Sequence, residues 1–422
     1  MKILHICTYD SGGAGKAALR LHLGLKLLGV SSKMLVRERT CSDSDVVELR
    51  QNDNVFVRQC NKLRKRLYNS ELARYKSTRL KGWDLFDDDR TAYNVGRHPL
   101  VQEADIINLH WVNWMLSPRE FFMSIKRKPV VWTLHDMNTF TGGCHTAWEC
   151  LKFEDGCGEC PQLGSSTPGD LSRRIFLRKQ RSYRGANIYI VTPSRWLAGL
   201  VQRSALFKNQ KIFVIPNSIP LSVFRKRDKK YSRELLNLPQ DKIIILCSIS
   251  YNLEHKGLKY LLQAMKIVVK NIGPSKISLV LFGEYDSSLF RDEEFDVYFL
   301  GYIKDELVLS CCYSAGDILV IPSVAENYPN SILESIACGT PVVSFNVGGI
   351  SEIIRPHETG LLAEIKNAQD LASKIEWMVI HDKERQDMQK LSRETIEQSH
   401  TLETQANRYL ELYESVYCKE HS

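Results

Sequence analysis

Short apolar runs of strand length alternate with helical stretches along the whole chain, in two successive series. No other feature constrains the fold as strongly, because parallel strands need a crossover between them and a helix is the usual one. The first series opens with a β-type run over 2–7, a Gly-rich turn and a helix over 14–28 that Gly29 stops. Further β-type runs fall at 32–36, 106–110, 130–134, 188–192 and 213–216. The second series has strands at 242–248, 278–282, 298–300, 318–321 and 341–345, with helices at 258–269, 304–314 and 331–338. The fold class predicted is α/β, two Rossmann-like domains facing across a cleft. Their bounds are 1–217 and 218–393. A last helical segment, 394–422, follows no strand and needs a surface for Leu402, Tyr409, Leu412 and Val416. The 422 residues fit two domains, since single cores stop growing near about 250–300 residues.

Hydrophobic residues at 43% and charged residues at 25% exclude a disordered, collagenous or rod-like chain. No apolar run reaches the roughly 20 residues of a membrane-spanning helix. The first residues turn polar too soon for a secretory signal. The expectation is a soluble cytoplasmic protein. A net charge of +8 suits phosphate esters, a membrane surface or nucleic acid without choosing among them.

Ligands of such domains sit outside the carboxyl ends of the strands, so the loops there carry the chemistry. The first loop contains Gly12 and Gly13, where bare backbone can approach a phosphate at a helix N-terminus. Gly13-x-Gly15-x-x-Ala18 also fits a dinucleotide fingerprint, with Glu38 about 20 residues on as its ribose acid. An NAD-dependent oxidoreductase and a plain strand–helix turn both stay open. A P-loop does not, because its first glycine would fall on Asp10. After a buried strand come His135 and Asp136, an imidazole able to donate to a substrate oxygen and an acid able to cap the next turn. His110 has the same placement. Lys256 stands at a helix start, where the dipole is already positive, a poor place for a cation unless an anion binds there. The segment from Pro322 to Glu334 holds two carboxylates, Glu326 and Glu334. Ser331-x-x-Glu334 reads as a capping box, while carboxylates in a cleft also accept hydrogen bonds from sugar and ribose hydroxyls.

These residues together resemble the retaining glycosyltransferases of family 4, of GT-B fold. The features are Glu326-x7-Glu334, Lys256-Gly257, Leu300-Gly301-Tyr302, Ala315-Gly316-Asp317 with Pro322-Ser323, Gly339 to Val343, Gly348-Gly349 and Thr359 to Leu362. Asn217 to Pro220, Gly12-Gly13 and His135-Asp136 match elements of the family's first domain and linker. The resemblance implies roles. Glu334 would hold ribose hydroxyls, and Glu326, with Asn327, Asn330 and Ser331 around it, would face the donor sugar. Lys256 would neutralise the departing diphosphate, helped by amides at Gly12-Gly13 and Gly349-Ile350. His135 would lie beside the anomeric carbon, and the base near Gly283-Glu284 and Tyr302-Ile303. It also implies catalysis without a metal cofactor, a UDP- or GDP-linked sugar as donor, and a C-terminal helix that crosses back to the first domain. One departure is Ser250, where family members often carry an arginine; His255 or Arg195 could supply a second cation.

Cys144, Cys150, Cys157 and Cys160, with His145 beside the first and one C-x-x-C, suit a structural Zn²⁺ that orders a loop; free thiols or two disulfides are the alternatives, the disulfides disfavoured in a cytosolic setting. Two helical stretches are basic. One carries Phe56, Cys60, Leu63 and Leu67 amid Arg58, Lys62, Lys65 and Arg66; the other carries Arg174, Arg178 and Arg181, capped by Asp170 and ended by Gly185. They suit a lipid-linked glycan acceptor at the inner face of the plasma membrane, or a solvated face. The expectation is transfer of a sugar to a glycan hydroxyl in bacterial surface-polysaccharide assembly, with no nucleic-acid partner. The rivals are the NAD oxidoreductase, a nucleic-acid binder using the basic helices, and a catalytically dead sugar-nucleotide binder.

Overall fold

The structure, a computed structural model, describes residues 1–50, 55–79, 85–249, 254–284, 290 and 294–421. Ser250 and the side chains of Phe56, Arg58 and Cys60 lie outside the described residues. The chain divides into two compact units, Met1–Asn217 with Leu402–Ser422, and Ser218–Thr401.

The first unit holds β1 (Lys2–Tyr9), β2 (Ser31–Glu38), β3 (Val46–Glu48), β4 (Ile106–Leu109), β5 (Val130–Thr133), β6 (Ile188–Thr192) and β7 (Ile212–Val214). Its helices are α1 (Gly12–Leu27), α2 (Val55–Ala73), α3 (Pro99–Glu103), α4 (Pro118–Ser124), α5 (Leu171–Tyr183) and α6 (Arg195–Arg203). The strands form one parallel sheet in the order β3-β2-β1-β4-β5-β6-β7. β4 and β5 are buried on both faces, which is why they read as continuous apolar runs.

The second unit holds α7 (Lys229–Leu235), α8 (Leu258–Ile272), α9 (Glu306–Ala315), α10 (Asn330–Ala337), α11 (Ala368–Ile380) and α12 (Asp382–Ser399). Its strands are β8 (Ile243–Ile249), β9 (Ile277–Gly283), β10 (Asp296–Gly301), β11 (Ile318–Ile321), β12 (Val342–Phe345) and β13 (Gly360–Ala363). They are parallel, in the order β10-β9-β8-β11-β12-β13. Ile244, Leu246, Val280, Leu319 and Val342 pack there against Tyr313, Leu333 and Ile336. Strand order reverses between β1 and β4 in one sheet and between β8 and β11 in the other, the points where such sheets take ligands.

The C-terminal stretch corrects the sequence reading. It is two helices, α12 and α13 (Leu402–His421), separated at His400-Thr401, so the chain returns to the first unit at Leu402 rather than at 394. α12 stays with the second unit because Ile396 enters its core and Arg393 donates to the carbonyls of Phe224 (2.9 Å) and Ala337 (3.2 Å). α13 packs Ala406, Tyr409, Leu412, Tyr413 and Val416 on Ile3, Leu21, Leu25, Ile106, Val131 and Val191. Each large apolar side chain so buried stabilises by about 1.5–3 kcal/mol.

Candidate functional site

In the second unit the loops after β8, β11 and β12 press together. Gly257, the N-cap of α8, has φ +69°, and a Cβ there would lie 1.8 Å from the carbonyl oxygen of Pro322. Gly348, at φ +61°, would bring a Cβ to 1.7 Å from that of Glu326. Only glycine allows either approach. The contacts bring Lys256 and Glu326 together: Lys256 Nζ lies 2.5 Å from Glu326 Oε1. Burial raises the Glu326 value, but Lys256, His255 and the Ser323 hydroxyl outweigh it and hold the carboxyl below its ordinary value. The carboxylate form of Glu326 is therefore favoured, and Lys256 stands just ahead of a helix N-terminus. Asn327, Asn330 and Ser331 stand half-buried around it.

Glu334 corrects the capping-box expectation. The N-cap of α10 is Pro329, which has no side-chain bond to give, and Glu334 falls in the second turn. Only 4% of Glu334 is exposed, and its Oε2 accepts from the buried Tyr313 hydroxyl at 2.9 Å. The two amides expected to help a phosphate are already used: Gly349 N–H donates to the Asn327 carbonyl (3.0 Å) and Ile350 N–H to that of Val347 (3.2 Å). Gly283 closes β9, and the next amide, of Glu284, bonds the Ile249 carbonyl at 3.2 Å. Tyr302 is exposed just beyond the edge strand β10, and Ile303 packs on the core.

In the first unit, α1 starts at Gly12 and Gly13, both exposed, with no carboxylate in its first turn. Asp10 is buried beneath them and accepts from Thr40 N–H (2.7 Å), Thr40 Oγ1 (2.7 Å) and Cys41 N–H (2.8 Å). Glu38, the supposed ribose acid, is bonded by its neighbour Arg37 at 2.6 Å. His135 follows β5 and is bonded through Nε2 to His110 Nδ1 at 3.1 Å. Asp136 bonds the Asn138 amide at 2.8 Å, as a turn cap would, and also accepts from Trp111 Nε1 (2.8 Å) and His145 Nδ1 (2.6 Å). His145 Nε2 meets Asp87 at 2.8 Å. Burial alone would lower the His145 value, but Asp136 and Asp87 push it up to about 10. Asp87 and Trp111 carried no sequence signal; His145 was visible only as a neighbour of Cys144.

The four cysteines line one cavity with Phe86, Ala147 and Phe153. All are free thiols, and burial pushes Cys157 up to about 12. Yet among the described residues no three histidine, cysteine or acidic side chains are grouped to hold a metal ion. The loop has other anchors. Lys179 donates to the carbonyls of Asn138 and Thr141, Asp170 accepts from Cys160 N–H at 2.7 Å, and Phe140, Phe153 and Leu163 are buried.

The basic helices differ from one another. Asp170 caps α5 as expected, but Arg178 is paired with Asp89 (2.6 Å) and Asp88 (3.2 Å), and Arg174 with Glu71 (3.2 Å). Both charges have acidic partners, Arg178 half-buried and Arg174 at the surface. On α2, Leu63 and Leu67 are 60% and 58% exposed beside exposed Lys62, Lys65 and Arg66, so these two apolar side chains face solvent among basic ones. No helix among the described residues is long and apolar enough to cross a membrane.

Residues 240–381 match the family model of the glycosyl transferases group 1. An N,N'-diacetylbacillosaminyl-diphospho-undecaprenol alpha-1,3-N-acetylgalactosaminyltransferase of Campylobacter jejuni is 33% identical over 188 residues, 43% of this chain and 47% of that one. The chain thus spans about half the length of this curated relative. The sucrose-phosphate synthase of Thermosynechococcus elongatus superposes with a TM-score of 0.67 at 19% identity, over 99% of this chain and 100% of that one. Anabaena HepE, solved with UDP and glucose, superposes at 0.66 and 17% identity, over 98% and 100%. At those identities the two structures establish the fold, GT-B.

Proposed function

We propose that this chain, whose residues 240–381 match the model of the glycosyl transferases group 1, moves a sugar from a nucleoside diphosphate to a glycan hydroxyl with retention at the anomeric carbon. The observation that carries this reading is the Lys256–Glu326 contact at the β8/β11 switch point. A donor diphosphate would draw Lys256 as its counter-charge and leave Glu326 to accept from sugar hydroxyls. Glu334 would accept from the ribose. Lysine and the α8 dipole together supply the field that stabilises the leaving diphosphate, a role that asks for no metal ion. Turnover undiminished in EDTA is the expected result.

The acceptor in this reading is a lipid-linked intermediate of surface-polysaccharide assembly, met at the inner face of the plasma membrane. The exposed Leu63 and Leu67 among basic residues on α2 support it, being suited to anionic lipid. The relative from C. jejuni, whose name carries a diphospho-undecaprenol acceptor, supports it too. The donor is a UDP- or GDP-linked sugar.

Thermal unfolding with UDP, GDP, ADP, dTDP, CDP and NAD tests the donor half. Ligand at 100 times its Kd adds about 2.7 kcal/mol, an easily visible shift. A rise with one nucleoside diphosphate, lost in Glu334→Ala, is expected. A rise with NAD alone would overturn the reading.

A further inference from the structure

We infer that His5 and His110 are positioning residues that fix the tautomer of His135, holding it neutral with its proton on Nδ1. Three neighbouring strands place the rings in file. His5 lies inside β1, His110 just beyond β4 and His135 just beyond β5, and β4 pairs with both of the others. His5 Nδ1 lies 3.0 Å from His110 Nε2, and His110 Nδ1 lies 3.1 Å from His135 Nε2. Neighbouring ring centroids are 5.3 and 5.4 Å apart. His5 and His110 are buried, and burial with mutual repulsion keeps imidazolium out of the file.

Proton counting then leaves two arrangements. A neutral imidazole has one N–H and one bare nitrogen, and each contact takes one proton. If the bonds run outward from His5, each ring is protonated on Nδ1 and the bare nitrogen at the head of the file is His5 Nε2. If they run inward, every ring is protonated on Nε2 and His5 Nε2–H must find an acceptor. His5 Nε2 is buried and has no hydrogen-bond partner among the described residues. His22, the next ring, meets His5 edge-on at 6.1 Å and bonds Ser32 Oγ at 2.8 Å through its own Nδ1. An orphaned buried N–H is rarer than an unused acceptor, so the bonds run outward.

His135 then accepts at Nε2 and can only donate at Nδ1. On the transferase reading, on which this consequence rests, it can bind a neutral sugar oxygen but cannot remove the acceptor's proton at that nitrogen. The tautomer itself does not depend on that reading.

Two-bond ¹H–¹⁵N correlation of the full chain with ¹⁵N-labelled histidine, at neutral pH, reads each ring directly. His5, His110 and His135 are all expected as neutral Nδ1–H forms. His5→Phe removes the donor at the head of the file. His135 is then expected to shift toward Nε2–H, with turnover lower by about tenfold and donor KM unchanged. His5→Asn, whose amide nitrogen stands near the lost Nδ1, should restore both. A wild-type His135 found as Nε2–H or as imidazolium overturns the inference, and so does a His5→Phe spectrum that leaves His135 unmoved. Should His5→Phe not fold, the wild-type spectrum decides alone. Should no sugar nucleotide be turned over, the spectra still report the tautomer, so the two failures are distinguishable.

Discussion

At the carboxyl ends of its first sheet the chain collects imidazoles; at those of its second it collects a lysine and two carboxylates. The first group is neutral and satisfied ring to ring, from His5 through His110 to His135. The second is an ion pair, Lys256 with Glu326, beside a carboxylate that Tyr313 holds. Two units of the same α/β kind have put different physics at equivalent places. A neutral file gives direction to a hydrogen bond and little field. A lysine ahead of a helix N-terminus gives field and little direction. On the transferase reading, the charge of the leaving group is the business of the second unit and the orientation of a sugar oxygen that of the first.

The largest expected effect follows from the field. Lys256→Ala should cut turnover by about 10²–10³, the usual cost of removing a group aimed at developing charge, whereas His135→Ala should cost about tenfold. Steady-state rates on a confirmed donor decide. Equal losses from the two would break the division of labour.

Acid should separate the units next. Burial depresses His22 to about 4, and His135 likewise. Between their unfolded value near 6.5 and about 4, the unfolded chain binds protons that the folded one does not. The stability these rings contribute is thus present above pH 6.5 and lost as pH falls toward 4; at pH 5 His22 alone costs on the order of 2 kcal/mol. Glu326 is depressed below 4.5, so its contribution persists at pH 5 and goes only as pH falls further. Hydrogen exchange at pH 7 and pH 5, corrected for intrinsic rate, should show β1, β4 and β5 loosening while β8 and β11 hold. Equal loosening would mean that the buried rings do not set the acid limb.

Glu334 sharpens the comparison on the second side. Glu334→Ala should weaken nucleoside diphosphate binding by about tenfold and cost about 1–3 kcal/mol of stability, because Tyr313 loses its acceptor in a buried site. Glu334→Gln, which keeps a carbonyl for Tyr313, should recover most of the stability and less of the affinity. Calorimetric titration and denaturant unfolding separate the two. Full recovery of affinity by glutamine would show that charge at 334 is irrelevant to the nucleotide.

Much of this was legible in sequence because parallel strands buried on both faces leave continuous apolar runs; the strands at 188–192 and 318–321 coincide with β6 and β11. β3 and β13 were not legible, being three and four residues whose pairing comes from β2 and β12. Lys256 and Glu326 could be singled out, since each is odd for its place. Their contact could not, because it depends on how closely Gly257 lets two distant loops approach. His5 went unnoticed inside an apolar run, where a buried histidine leaves no local trace. The capping box failed for a related reason. Its spacing is local, whereas Tyr313, which takes the Glu334 carboxylate, lies 21 residues away. Arg178 looked free until Asp88 and Asp89, about 90 positions upstream, came to meet it.

The smallest expected effect tests whether the first unit's sheet leans on the far end of the chain. Tyr413 of α13 accepts from Asn108 Nδ2 at 2.6 Å, and Thr133, which bonds Asn108 at 3.0 Å, meets Tyr409 at 2.9 Å. Asn108 is on β4 and Thr133 on β5, so this polar cluster lies within a few residues of His110 and His135. Tyr413→Phe keeps the ring and strands one buried amide donor, at about 1–3 kcal/mol. For a unit of this size that is roughly 2–4 °C of Tm per kcal/mol. The loss should appear in exchange of β4 and β5 and leave β8 and β11 untouched. If β8 and β11 loosened equally, the units would melt as one, and the contrast in acid stability would have to be read from the variants rather than from the wild type.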